Sequence, residues 1–89
     1  REWSELGEEI RRRLEDAVRS GASPEDQEGR DIVRLHRRWL TVTGTAYDPA
    51  KHRGLAELYV ADPRFTGYYD RTVPGCARFL RDAVARWAE

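Results

Sequence analysis

Eight ring-bearing side chains, His36, Trp39, Tyr47, His52, Tyr59, Phe65, Tyr68 and Tyr69, fall within 34 consecutive positions of this 89-residue chain. Two imidazoles could exchange protons or hold a metal. The tyrosine hydroxyls need partners or water, and the rings can stack on a flat ligand. The other chemistry-bearing residues are fewer. Glu57 would serve as a general base if buried, but ion pairing to Arg53 at i−4 or to Arg64 is the reading preferred for it. Cys76 adjoins the start of a helix, which could lower a thiol pKa, yet it lies near an apolar stripe and reads as buried, inert packing. With only one cysteine no internal disulfide can form, and Cys76, His36 and His52 show no zinc-like spacing, so neither metal nor cofactor is expected. No phosphate loop, HExxH or CxxC motif occurs, and no enzyme is expected.

The totals set further bounds. Sixteen basic and sixteen acidic residues cancel, so the domain as a whole does not attract nucleic acid or anionic lipid. The arginine runs at 11–13 and 37–38 are basic in isolation. Glu8, Glu9, Glu15 and Asp16 surround the first at helical spacing, and an ion-paired solvated face is expected there, with no contact to nucleic acid. No segment approaches the roughly 20 apolar residues of a membrane span, and no signal-peptide pattern opens the chain, so a cytoplasmic location is expected. A hydrophobic share of 39% against 36% charged residues suits a soluble domain with a thin core.

The elements that must position the rings are helical throughout. Trp3, Leu6, Ile10, Leu14 and Val18 recur at three or four and predict a first helix that stops at Gly21. Ser23 before Pro24 predicts the start of a second. Its stripe is Ile32, Leu35, His36, Trp39 and Thr43, closed by Gly44. Asp48-Pro49 and Asp62-Pro63 repeat the cap-then-proline arrangement, and Thr72 with Pro74 gives a looser version. They predict helices over about 49–61, 63–71 and 73–88, the last with Ala77, Leu80, Ala83, Val84 and Trp87 inward. Phe65 and Leu58 are assigned to the core. Tyr68 and Tyr69 cannot both point inward on one helix, so at least one is exposed. No segment alternates with period two, and five helices with short connections predict an all-α orthogonal bundle.

The stretch GLAELYVADPRFTGYYDRTVPGCARFLRDAV, from Gly54, resembles the closing section of the TipAS-like antibiotic-recognition domain. There a Leu-Gly-Glu-Met-Tyr-Val segment leads into Asp-x-Arg-Phe and then Pro-Gly-Leu-Ala. The helix after SGASPED, with His36 and Arg37, is similar too, and Trp3 fits the preceding helix. The resemblance implies a single globin-like all-α domain over residues 1–89 that binds thiopeptides or other bulky hydrophobic antibiotics in an interhelical cleft. Such domains usually follow a MerR-type DNA-binding domain and a coiled coil, so a DNA-binding domain in cis is implied if the chain is a fragment; stand-alone forms sequester the drug. Two departures stand out. Family members that capture the drug covalently carry a cysteine where this chain has Gly54, so binding here is expected to be non-covalent. The family's N-terminal lid residues are not found before Arg1.

From these residues we expect a cleft where the second and third helices meet the aromatic stretch. Trp39, Tyr47 and Tyr59 would stack on heterocycles, and Leu55 would supply apolar floor. His36 and His52 would hydrogen-bond amides or ring nitrogens, and Gly54 would admit the ligand close to the backbone. The alternative is a protein-interaction module whose apolar groove receives a partner helix. A purely structural bundle is a weaker third reading, and a buried Glu57 facing the cleft without an arginine partner would revive an enzyme.

Overall fold

The computed structural model describes residues 2–89 and contains five helices: α1 Glu2–Ser20, α2 Gln27–Leu40, α3 Pro49–Ala61, α4 Pro63–Asp70 and α5 Cys76–Trp87. No strand occurs among the described residues, and the fold is all-α. Helix α5 is the centre of the packing. Its Leu80, Ala83 and Val84 are fully buried and meet Leu14 of α1 and Ile32 of α2, while α3 lies along its other side and α4 returns beside α3.

Local chemistry explains the boundaries. After α1 the chain turns through Gly21 at φ 75°, a conformation that costs glycine least, and the Ala22 amide donates back to the Ala17 carbonyl. The cap-then-proline arrangement operates where it recurs cleanly. Asp48 accepts hydrogen bonds from the amides of Ala50 and Lys51, and Asp62 accepts from that of Arg64. Asp62 therefore ends α3 and starts α4 in one residue.

Three expected boundaries move. Helix α2 begins at Gln27, not at Pro24, because Ser23 to Asp26 close a turn of their own: the Asp26 amide donates to the Ser23 carbonyl and the Ser23 amide to Asp26 Oδ2. This turn lies hard against the first turn of α2, where a Cβ on Gly29 would sit 1.9 Å from the Pro24 carbonyl oxygen. The same helix ends at Leu40, leaving Thr43 outside it and Gly44 in the following turn. Helix α5 starts at Cys76, not at residue 73. Its first turn is capped by the Asp70 carboxylate, which accepts from the Gly75 and Ala77 amides, while Gly75 takes φ 101°.

Burial corrects three further expectations. Leu58 is 43% exposed, because the inward face of α3 carries His52, Ala56 and Tyr59 at spacings of four and three. Trp3 is 51% exposed at the end of the α1 stripe, and Phe65 is half-buried. Of the tyrosine pair, Tyr69 is buried and Tyr68 exposed. Glu57 pairs across helices with Arg81 at 3.5 Å, whereas Arg53 donates to the Ala88 carbonyl and Arg64 to Asp62. Within the first arginine run, Arg11 bonds Glu8 and Glu15, and Arg13 reaches Glu28 of α2. No described helix is long and apolar enough to cross a membrane.

Candidate functional site: an aromatic cleft backed by paired histidines

The aromatic residues gather at one end of the bundle around a cleft of about 590 Å³. Helix α1 supplies one wall through Trp3, Ser4 and Gly7. Helix α2 presents His36 and Trp39, three positions apart and so on one face. Tyr59 of α3 lies behind, and α4 closes the opposite side with Phe65, Tyr68 and Tyr69, whose spacing of three and one puts them on adjacent strips of a short helix. The charged residues at its edge are Glu8 and Arg64, and each has a partner, Arg11 and Asp62 respectively.

The rings are ordered against one another. Trp3 stacks on Trp39 with centroids 4.9 Å apart, Trp39 stacks on His36 at 5.4 Å, and His36 stacks on His52 at 4.9 Å, all within about 23° of parallel. Tyr59 meets His36 edge-on at 5.7 Å. Such offset stacks and edge contacts each add roughly 0.5–1.5 kcal/mol beyond burial, so the wall is held in place before any ligand arrives.

Behind this wall His36 and His52 are 0% and 1% exposed. His36 Nδ1 lies 2.7 Å from His52 Nε2, His52 Nδ1 lies 2.7 Å from the Tyr47 hydroxyl, and His36 Nε2 lies 3.3 Å from the Tyr59 hydroxyl. Every ring nitrogen of the pair therefore has a partner. Burial, and then the charge that His52 would carry, push His36 down to about 3. Burial followed by the guanidinium groups of Arg37 and Arg53 pushes His52 down to about 4. Both are neutral at physiological pH. Burial also raises the hydroxyls of Tyr59 and Tyr69, which stay protonated. The neutral, hydrogen-bonded site suits an uncharged aromatic ligand better than an ion. Among the described residues no cluster of histidine, cysteine and carboxylates has metal-binding geometry. Cys76 is fully buried, and burial with nearby Asp70 and Glu15 pushes its thiol up to about 11.

The structure brings only part of the sequence-derived set together. His36, Trp39 and Tyr59 line the cleft. Tyr47, His52 and Leu55 surround a smaller depression of about 300 Å³ between the α2–α3 connection and α3. His52 reaches the cleft only through its hydrogen bond to His36, and Tyr47 only through its bond to His52. Gly54 faces open space, with nothing within 4 Å of a Cβ built on it. Conversely, Trp3 and Gly7 of α1 and Phe65, Tyr68 and Tyr69 of α4 line the cleft, although the sequence assigns none of them to the ligand. Trp3 carried a signal: a tryptophan in the first turn of an amphipathic helix is more apolar bulk than the core there can cover.

Comparison with known proteins fits this architecture. The HTH-type transcriptional activator TipA of Streptomyces coelicolor is 32% identical over 87 residues, covering 93% of this chain and 34% of the relative. The HTH-type transcriptional regulator SkgA of Caulobacter vibrioides is 28% identical over 95 residues, covering 99% of this chain and 36% of the relative. The chain thus spans about a third of the length of these curated relatives. No solved structure matches it significantly. The profile of the TipAS antibiotic-recognition domain matches residues 1–87, and with a cleft assembled from the residues of that match, the chain belongs to the TipAS antibiotic-recognition domain family.

Proposed function

We propose that the chain binds bulky, largely apolar antibiotics such as thiopeptides without covalent attachment, and that it does so as the sensing domain of a MerR-type transcriptional regulator or as a drug-sequestering resistance protein. The observation that carries this reading is the 590 Å³ cleft, walled by Trp3, Trp39, Tyr59, Phe65 and Tyr68 and backed by a neutral histidine. A concave, mostly aromatic surface with few polar anchors is what a flat heterocyclic ligand requires. A compact cleft of about 590 Å³ walled on several sides supports a small molecule over a partner helix, which needs a long shallow groove. The side chains available support non-covalent capture. Cys76 is buried, its thiol is held protonated, and it is absent from the cleft lining, while Gly54 offers no nucleophile.

Family membership supports the ligand class, and the HTH-type names of TipA and SkgA support a regulatory setting with a DNA-binding domain in the same polypeptide. The test is a titration with a panel of thiopeptides, followed by tryptophan fluorescence in a Trp87→Phe background. Trp87 lies outside the cleft, with its indole N–H on the Pro24 carbonyl, so its removal leaves Trp3 and Trp39 as reporters. Saturable quenching or a spectral shift is expected. An unchanged spectrum across the panel refutes the proposal.

A further inference from the structure

Tyr47, His52, His36 and Tyr59 form one continuous hydrogen-bonded series, with separations of 2.7, 2.7 and 3.3 Å. Each neutral imidazole has one N–H and one lone pair, so the protons must all point the same way along it. In one sense the Tyr47 hydroxyl donates to His52 Nδ1, His52 Nε2–H donates to His36 Nδ1, and His36 Nε2–H donates to the Tyr59 oxygen. In the other sense every bond reverses, both histidines carry the proton on Nδ1, and Tyr59 donates to His36. The two phenols compete, since both cannot donate inward without placing two N–H groups face to face at 2.7 Å.

Two observations favour the first sense. The Tyr47 contact is shorter than the Tyr59 contact by 0.6 Å, that is 3.3 against 2.7 Å, as expected if Tyr47 is the phenol that donates to a ring nitrogen. The charges beside the series are also lopsided. The Arg37 guanidinium sits 4.1 Å from the centre of the Tyr47 ring, and Arg37 and Arg53 both act on His52, so protons are driven away from that end and toward Tyr59. Asp48 is the opposing carboxylate at Tyr47, while Tyr68 and Tyr69 are the titratable groups beside Tyr59, and the Tyr69 hydroxyl also acts on Tyr59 as a hydrogen-bond partner from the cleft side.

We propose that Tyr47 and His52, which lie outside the cleft, hold His36 and Tyr59 in the sense that turns the Tyr59 hydroxyl proton away from His36 and toward the cleft-lining side, where an acceptor on a ligand competes for it with the Tyr69 hydroxyl, so that the cleft selects flat aromatic compounds bearing an acceptor over isosteric donors. The acceptor is a ring nitrogen or a carbonyl oxygen. The inference rests on the cleft being a ligand site, as argued above. Tyr47 and His52 are positioning residues, acting through His36.

The test has two readouts. In protein labelled with ¹⁵N-histidine, long-range proton–nitrogen spectra at pH 7 are expected to show both histidines protonated on Nε2. Tyr47→Phe is expected to mix the two tautomers, because the donor that fixes Nε2–H is gone while Arg37 and Arg53 still oppose Nδ1–H on His52, whereas Tyr59→Phe leaves the pair on Nε2. Acridine, with a ring-nitrogen acceptor, and carbazole, with an N–H donor of similar shape, are the probes. Acridine is expected to bind the wild type about three- to tenfold more tightly, the worth of one hydrogen bond. That preference should vanish in Tyr59→Phe and narrow in Tyr47→Phe. Nδ1–H histidines in the wild type overturn the inference, as does a Tyr47→Phe variant with unchanged tautomers and unchanged preference. If neither probe binds while the tautomers behave as described, the ligand-site reading fails and the directional series stands.

Discussion

Acidification from pH 7.5 to pH 5 should destabilise the fold through His36 and His52 before most carboxylates begin to titrate. Both histidines have an ordinary value of 6.5, lowered in the fold to about 3 and about 4, chiefly by burial. The folded state therefore binds fewer protons than the unfolded chain below pH 6.5. The stability contributed by keeping the rings neutral is full above that pH and is lost as the pH falls toward the folded values. At pH 5, about 1.5 units below the unfolded value and at about 1.4 kcal/mol per unit, each histidine costs the fold roughly 2 kcal/mol, or about 4 kcal/mol together. A domain of this length holds only about 4–13 kcal/mol in all. The midpoint of thermal unfolding, followed by circular dichroism, should fall by about 15–30 °C over this range. His36→Gln and His52→Gln should each remove about half of the slope while retaining a hydrogen-bonding side chain. A midpoint that stays level between pH 7 and pH 5, or an equal slope in the variants, would show that the histidines are not buried as a neutral pair.

Three further outcomes follow from particular contacts. Gly29→Ala would drive a methyl group into the Pro24 carbonyl and should cost at least about 2 kcal/mol by urea denaturation, whereas Gly54→Ala, in open space within α3, should gain up to about 1 kcal/mol and leave binding in the cleft unchanged. Weaker binding in Gly54→Ala would restore that glycine to the site. Asp70→Ala removes the acceptor for the Gly75 and Ala77 amides and should cost about 1 kcal/mol, read as a lower urea midpoint at unchanged slope. Cys76 should react with a disulfide reagent only on global unfolding, so its labelling rate should rise with urea in parallel with loss of helicity.

What the sequence made legible was whatever is decided within a few residues. Asp48-Pro49 and Asp62-Pro63 place the starts of α3 and α4 because cap and proline act on the same turn. The starts of α2 and α5 were not legible in the same way. Ser23-Pro24 has the same signature as the other two, but here the turn is anchored from 63 residues away, by the Trp87 indole on the Pro24 carbonyl. Helix α5 is capped by a carboxylate from the end of α4 that no local pattern assigns to it. The site divides along the same line. Helical periodicity says that His36 and Trp39 share a face, and it says nothing about which helix that face meets. The rings of α1 and α4 therefore stayed apart from those of α2 on paper, although Trp3 and Trp39 stack at 4.9 Å.

That division also changes what the tyrosines are for. From sequence, Tyr47 and Tyr59 are assigned alike to stacking on heterocycles. In the fold Tyr47 spends its hydroxyl on His52, and Tyr59 lies against His36 while also lining the cleft. A buried histidine pair without both tyrosines would leave ring nitrogens unpaired, at a cost of about 1–3 kcal/mol each. Apolar replacements of the same shape would fill the space at less risk, so a polar series running from one depression to the wall of another is an expensive way to pack a core. Such a series gains a use where one end of it meets a ligand: the same bonds that satisfy the buried nitrogens also decide whether the cleft offers a donor or an acceptor.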